Sequence, residues 1–185
     1  MNNNLGILEL IIGPMFSGKS TELIKQIRLF KIINKKILII KPSIDTRYDS
    51  DKIVSHNNEK EECFITDDLS IITDTMINLY DIIIIDEGQF FKNLKINVIK
   101  WVDIFNKYII VAGLDGDFQR NKIGEILDLI PYADKYRKYT ALCKYCCDGT
   151  PGIFSKRLSD SVNQVLIGTD DIYSSVCRYH YLNIN

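Results

Sequence analysis

Residues 8–21 read LELIIGPMFSGKST, an apolar run followed at once by the pattern G-x-x-x-x-G-K-S. In that order the pattern predicts a buried strand, a loop that turns its backbone N–H groups inward around phosphate, and a helix whose positive N-terminal end faces the same anion. Gly13, Pro14, Met15, Phe16, Ser17, Gly18, Lys19 and Ser20 are therefore the expected nucleotide-phosphate residues. Lys19 would reach the β- and γ-phosphates, and Ser20 would hold Mg²⁺. A plain glycine turn before a helix shares this outline, but not all four fixed positions in this context.

Outward from that stretch, short β-branched runs recur at Ile37 to Ile40, Ile82 to Ile85 and Ile109 to Val111. Continuous apolar runs of this length suit central strands of a parallel sheet, buried on both faces. Leu23, Ile27, Phe30 and Ile33 recur at helical spacing, so Lys19 to Ile33 reads as an amphipathic helix that ends near Asn34. A second helix is expected from about Asn93 to Asn106, burying Val98, Trp101, Val102 and Phe105. The alternation predicts an α/β fold, a parallel sheet between helices. Pro42 to Glu62 is polar and aperiodic and reads as a loop excursion. Around Tyr136 the composition shifts to tyrosines, lysines and clustered cysteines, which divides the chain into a nucleotide-binding domain, 1–135, and a small C-terminal subdomain, 136–185.

At 185 residues there is room for one main core, and a net charge of −1 provides no field that would gather nucleic acid. MNNNLGILEL lacks a basic segment followed by an apolar one, and no apolar stretch approaches membrane-spanning length. A soluble, cytoplasmic protein is the expectation, with no nucleic-acid or membrane partner. Of the five cysteines, four fall in the last quarter of the chain. In a reducing compartment such clustering points to metal rather than to disulfides.

Asp86 and Glu87 directly follow the run Ile82 to Ile85. A carboxylate at the end of a central strand beside a phosphate loop helps hold Mg²⁺, and Asp86 suits that role. Glu87, one residue on, is placed to act as a general base. The pair leaves the acceptor open, because a glutamate here can activate water in an ATPase or an alcohol in a kinase.

Cys143-x-x-Cys146 and Cys177-x-x-His180 form two closely spaced ligand pairs. Three thiolates and one imidazole can close a tetrahedron around a structural Zn²⁺ with no position left for water. Cys147 leaves an ambiguity of register, in which the two-residue spacing favours Cys146. Cys63 stands far from the others and reads as a small buried apolar residue. The segment between the pairs is longer than a minimal zinc ribbon needs, and a loop tied at both ends costs less entropy to order, which suits a substrate lid.

Taken in order, GPMFSGKSTEL, DTRYDS, IDEGQFF, GLDGDFQR, CKYC and CRYH resemble the type II thymidine kinases over about Ile7 to Tyr181. The resemblance implies a P-loop NTPase-like sheet with a zinc-ribbon-like subdomain carrying a lasso loop. It also implies transfer of the γ-phosphoryl group of ATP to the 5′-hydroxyl of thymidine, giving dTMP, and a homotetramer. Glu87 matches the family's catalytic base, and Asp86 its metal-assisting aspartate. Asp45, Arg47 and Gln89 match residues on the ATP side, although spacing alone would make Asp45 and Arg47 a surface ion pair. Phe118 matches the aromatic residue that stacks on thymine, and Met15, Leu114 and Tyr173 match other nucleoside-pocket positions. From sequence alone Met15, Leu114 and Tyr173 would be assigned to packing, while Phe118 is as consistent with a core aromatic as with a platform for a flat base.

The lasso corresponds to Gln164, Val165, Leu166, Ile167 and Gly168, flanked by Ser155 to Leu158 and by Tyr173. The family pattern favours Cys146 over Cys147 as the zinc ligand. Three departures stand out: Ile167-Gly168-Thr169 where Ile-Gly-Gly is common, His180 where a second cysteine is frequent, and Ser155 where threonine is common. The competing readings are a P-loop ATPase whose structural zinc site couples hydrolysis to conformational change, and a zinc-ribbon binding module on a degenerate nucleotide domain. The second of these is disfavoured by the joint presence of Lys19, Ser20, Asp86 and Glu87.

Overall fold

The computed structural model describes residues 5–44, 52–54, 60–159, 163, 164, 166 and 171–184, with backbone alone at 52–54 and 60–62. In chain order the elements are β1 (Ile7–Ile12), α1 (Lys19–Ile32), β2 (Ile37–Lys41), β3 (Lys52–Val54), β4 (Lys60–Glu62), β5 (Phe64–Ile65), α2 (Asp74–Asn78), β6 (Ile82–Ile85), α3 (Leu94–Asp103) and β7 (Tyr108–Gly113). They continue with β8 (Lys135–Lys138), β9 (Ala141–Leu142), β10 (Pro151–Gly152), β11 (Phe154–Arg157), β12 (Tyr173–Val176) and α4 (Arg178–Asn183). Six strands form one sheet in the order β5-β2-β6-β7-β1-β8, and every pairing in it is parallel.

Alternation along the strands divides the core into two layers. Leu8, Leu10, Ile12, Ile83, Ile85, Ile109 and Val111 pack with Leu94, Val98 and Trp101 of α3 on one face. Ile11, Ile82, Ile84, Ile110 and Ala112 pack with Leu23, Ile24 and Ile27 of α1 on the other. All four strands read from apolar runs are present, and Val98, Trp101 and Val102 are buried as expected.

At its C-terminal end α1 departs from the expectation. Asn34 adopts a left-handed conformation, and the N–H groups of Asn34 and Lys35 return to the carbonyls of Lys31 and Phe30 at 3.0 and 3.1 Å. That cap ends the helix at Ile32 and leaves Ile33 exposed, and the buried face of α1 carries Leu23, Ile24 and Ile27. The polar stretch 42–62, read as a loop, contains the antiparallel pair β3–β4, because a strand ladder is a backbone property that polar side chains do not forbid.

Glu9, in the middle of β1, is buried and breaks the apolar run. Its carboxylate is paired with Arg137 of β8 and accepts a hydrogen bond from the Tyr108 hydroxyl at 3.0 Å. Burial opposes the Arg137 charge, but Glu9 outweighs it and raises the guanidinium pKa. Burial, helped by Glu9, also raises that of the Tyr108 phenol. The pair secures β8 to the sheet, which therefore runs three residues beyond the boundary expected at 135. Past β8 the chain forms a small C-terminal unit of two antiparallel ribbons, β9–β10 and β11–β12, whose buried hydrophobic cluster is Cys143, Val176 and Cys177.

Candidate active site and metal centre

Parallel strands bring their C-terminal ends to one edge, and both halves of the expected phosphate site lie there. The loop between β1 and α1 carries Gly18 at φ +83° directly before the helix, a conformation that glycine reaches without the cost a side chain would impose. Phe16 also has positive φ. Ser17 Oγ donates to the Pro14 carbonyl at 2.8 Å and closes the curl. Lys19 lies buried inside it, its Nζ donating to the Pro14 and Gly13 carbonyls at 2.8 and 3.2 Å.

Asp86 and Glu87 emerge from β6, two strands from β1, and both are buried. Ser20 Oγ donates to Asp86 Oδ2 at 3.1 Å, so the first turn of α1 and the end of β6 present two hard oxygen donors side by side. Such a pair suits Mg²⁺, which takes one or two protein oxygens and completes its shell with water and phosphate. Glu87 has φ +51°, and its N–H donates to Asp86 Oδ1 at 3.0 Å. A non-glycine residue in the left-handed region costs about 1–2 kcal/mol, a strain held here by hydrogen bonds at a chemically important position.

Gln89, expected on the ATP side, bridges two other groups. Its Nε2 donates to Glu87 Oε2 at 2.6 Å, and its Oε1 accepts the Leu114 N–H at 2.9 Å. Gly124, at φ +54°, crowds the Gln89 backbone so closely that a Cβ would stand 2.2 Å from the Gln89 carbonyl oxygen. Glu87 is thereby oriented by a buried amide, and Leu114 is tied to the same amide.

Over this edge hangs the C-terminal unit. Ser155 Oγ accepts the Met15 N–H at 2.9 Å, joining β11 to the phosphate loop. The Tyr181 hydroxyl donates to the Phe118 carbonyl at 2.8 Å, and Gln164 Nε2 donates to Asp117 Oδ2 at 3.0 Å. Asp117 is buried, and its Oδ1 accepts the N–H groups of Asn121 and Gln119, which shapes the turn carrying Phe118. Tyr173 is buried, and its hydroxyl donates to the Leu166 carbonyl at 2.9 Å. Met15, Leu114, Phe118, Ser155, Gln164, Leu166 and Tyr173 thus gather around one region. Asp45, Arg47, Val165, Ile167 and Gly168 lie outside the described residues.

Two residues of this constellation were not anticipated. Asp117 lies inside GLDGDFQR but has no chemistry legible from the motif alone. Arg157 sits at the end of β11 with its guanidinium carbon 3.9 Å from the centre of the Phe118 ring. It falls inside the flank Ser155 to Leu158, but no motif singles it out, and its contact with Phe118 is made across the chain.

Cys143, Cys146, Cys177 and His180 bring their ligand atoms within 4.8 Å of one another. His180 Nδ1 stands 3.3 Å from each of the three sulfurs, and the Cys146 and Cys177 sulfurs are 3.8 Å apart. Donors held tetrahedrally around one Zn²⁺ would be about 3.5–3.8 Å apart, so this donor set fits. Helix α4 supplies the second pair, since its first turn places His180 beside Cys177. Burial raises the Cys143 thiol, but backbone N–H groups of Cys177, Cys146 and Tyr145 overcome it and bring the pKa to about 6. Burial and the neighbouring Cys143 push Cys146 up to about 11. Cys147 is exposed with positive φ and bonds the Lys144 carbonyl through its own sulfur, while Cys146 is the member of the cluster.

Among known proteins, a family model described as thymidine kinase matches residues 6–181. The thymidine kinase of Yaba monkey tumor virus is 41% identical over 185 residues, covering 100% of this chain and 99% of the relative. That of vaccinia virus is 42% identical over 183 residues, covering 97% of this chain and 99% of the relative. The thymidine kinase of rice is 39% identical over 183 residues, covering 96% of this chain and 67% of the relative. A family model spanning residues 6–181 and relatives above 40% identical over nearly their whole length place this chain in the thymidine kinase family.

Proposed function

We propose that the chain transfers the γ-phosphoryl group of ATP to the 5′-hydroxyl of thymidine, giving dTMP and ADP. The observation that carries this reading is the buried Glu87 carboxylate, oriented by Gln89 beside the Lys19 loop, in a chain of this family. The loop N–H groups and Lys19 hold the phosphates. Ser20 and Asp86 are the residues that would hold Mg²⁺, which when bound offsets charge on the phosphates. Glu87 accepts the 5′-hydroxyl proton as that oxygen attacks the γ-phosphorus and ADP departs. Asp45 and Arg47 act on the ATP side. Met15, Leu114, Phe118, Ser155, Tyr173 and the stretch Gln164, Val165, Leu166, Ile167, Gly168 receive the nucleoside, with Phe118 stacking on thymine.

Cys143, Cys146, Cys177 and His180 would hold one structural Zn²⁺, which would tie the two ends of the nucleoside loop segment to each other. The chain functions as a nucleotide-binding domain and a small C-terminal subdomain, works in the cytoplasm, assembles as a homotetramer and has no nucleic-acid or membrane partner. Among the described residues no helix is long and apolar enough to cross a membrane.

Following ATP consumption with and without thymidine, with identification of the product, tests the activity. The expected outcome is dTMP, with little turnover in the absence of nucleoside. Thymidine-independent hydrolysis at an undiminished rate would instead favour an ATPase.

A further inference from the structure

Arg157 is charged and almost fully buried. It lies directly opposite Tyr173 in the β11–β12 ribbon, so the two side chains share a face. The guanidinium Nε and one terminal nitrogen donate to the Tyr173 hydroxyl at 3.2 and 2.6 Å. The same terminal nitrogen donates to the Gln164 carbonyl at 3.1 Å, and the other donates to the Asn163 carbonyl. The Tyr173 hydroxyl in turn donates a hydrogen bond to the Leu166 carbonyl at 2.9 Å. One arginine–tyrosine pair therefore grips three main-chain carbonyls of the loop, while the guanidinium plane covers one side of the Phe118 ring at 3.9 Å.

A peptide group is planar, so holding its carbonyl also sets the direction of the N–H on the other side of the bond. A planar fork with five donors can hold two carbonyls and a hydroxyl at once, whereas an ammonium has no fixed donor plane. We propose that Arg157 is the positioning residue of the nucleoside loop: it fixes the carbonyls of Asn163 and Gln164 and, through Tyr173, that of Leu166, and it backs Phe118, leaving the opposite ring face for the base. Selectivity for the base then depends on a side chain that does not touch it. This inference rests on the reading of the site as a thymidine site.

The test compares wild type with Arg157→Lys, Arg157→Ala and Tyr173→Phe in steady-state kinetics, after checking that zinc content and ATP binding match wild type. Arg157→Lys should raise the thymidine KM about tenfold and narrow the preference for thymidine over deoxycytidine, with the ATP KM within twofold of wild type. Tyr173→Phe should shift the same quantities less, and the Arg157→Lys, Tyr173→Phe double variant should be no worse than Arg157→Lys alone, because the two residues act as one unit. Guanidinium chloride, but not sodium chloride, should restore part of the thymidine affinity of Arg157→Ala. A thymidine KM within twofold of wild type in Arg157→Lys, equal rises in both substrates' KM, or additive effects would overturn the proposal. Failure of the wild-type protein to bind thymidine or form dTMP would remove the functional reading and this inference with it.

Discussion

The sheet edge and the C-terminal unit hold their working residues by different means. At the sheet edge, Lys19, Ser20, Asp86 and Glu87 are placed by the ends of β1 and β6, whose registers are set by long parallel ladders and by a core on both faces. In the C-terminal unit the strands are short, and the buried cluster contains Cys143, Val176 and Cys177. Placement there depends on four metal-type ligands, on Arg157 with Tyr173, and on hydrogen bonds to the sheet unit made by Ser155, Tyr181 and Gln164. A region with a deep apolar core tolerates the loss of one polar contact, whereas a region built from a few polar contacts does not.

On this contrast, damage at the sheet edge alters chemistry and leaves architecture intact. Glu87→Gln should slow transfer by about 10² or more while ATP binding and unfolding midpoints stay near wild type, since it removes a general base without emptying volume. Single-turnover measurements would check this, and wild-type-like turnover would remove Glu87 from the mechanism. Damage to the ligand cluster should do the reverse. Metal analysis is expected to find about one zinc per chain, and Cys143→Ala or chelation should raise the thymidine KM about tenfold or more with ATP affinity little changed. Carefully purified protein without zinc, or an equal loss of ATP binding, would erase the distinction between the two regions.

Two smaller effects probe the link between them. Gln89→Leu removes the amide that orients Glu87 and should lower kcat about tenfold, the scale of one hydrogen bond to a charged group, with both KM values nearly unchanged. A fall in kcat/KM that came entirely from KM would place Gln89 in binding instead. Ser155→Ala breaks the bond to Met15 N–H and is expected to change both KM values by only about threefold. Because the bond joins the two regions, an effect on thymidine alone would show that it does not couple them.

Much of the fold was readable because its determinants are local. The runs Ile82 to Ile85 and Ile109 to Val111 are apolar on both faces, which only a covered parallel strand accommodates, and they appear as β6 and the centre of β7. Strand β8 was not readable: Lys135–Lys138 is mostly polar, and its place in the sheet depends on pairing with β1 and on the ion pair between Arg137 and Glu9. The helix end at Ile32 turned on a left-handed Asn34, a cap whose conformation no hydrophobic pattern encodes. For the site, the phosphate loop, the acidic pair and the cysteine–histidine set were visible because each is a short pattern of few residues. Arg157 was not, since its contacts to Phe118 and Tyr173 are made across the chain.

By itself, then, the order of residues determined an α/β chain with a phosphate loop after its first strand, a carboxylate pair after a central strand and a four-ligand cluster near its end. These depend on periodicity and close spacing, which survive in one dimension. Only the tertiary structure decided that Cys146 rather than Cys147 joins the cluster, that Gln89 bridges Glu87 and Leu114, and that Arg157 covers Phe118 and bonds the Gln164 carbonyl. Each of those turns on the direction of a side chain relative to a partner distant in sequence or on a single backbone torsion. Such directions are set only when the sheet, its crossovers and the ribbons close around one another.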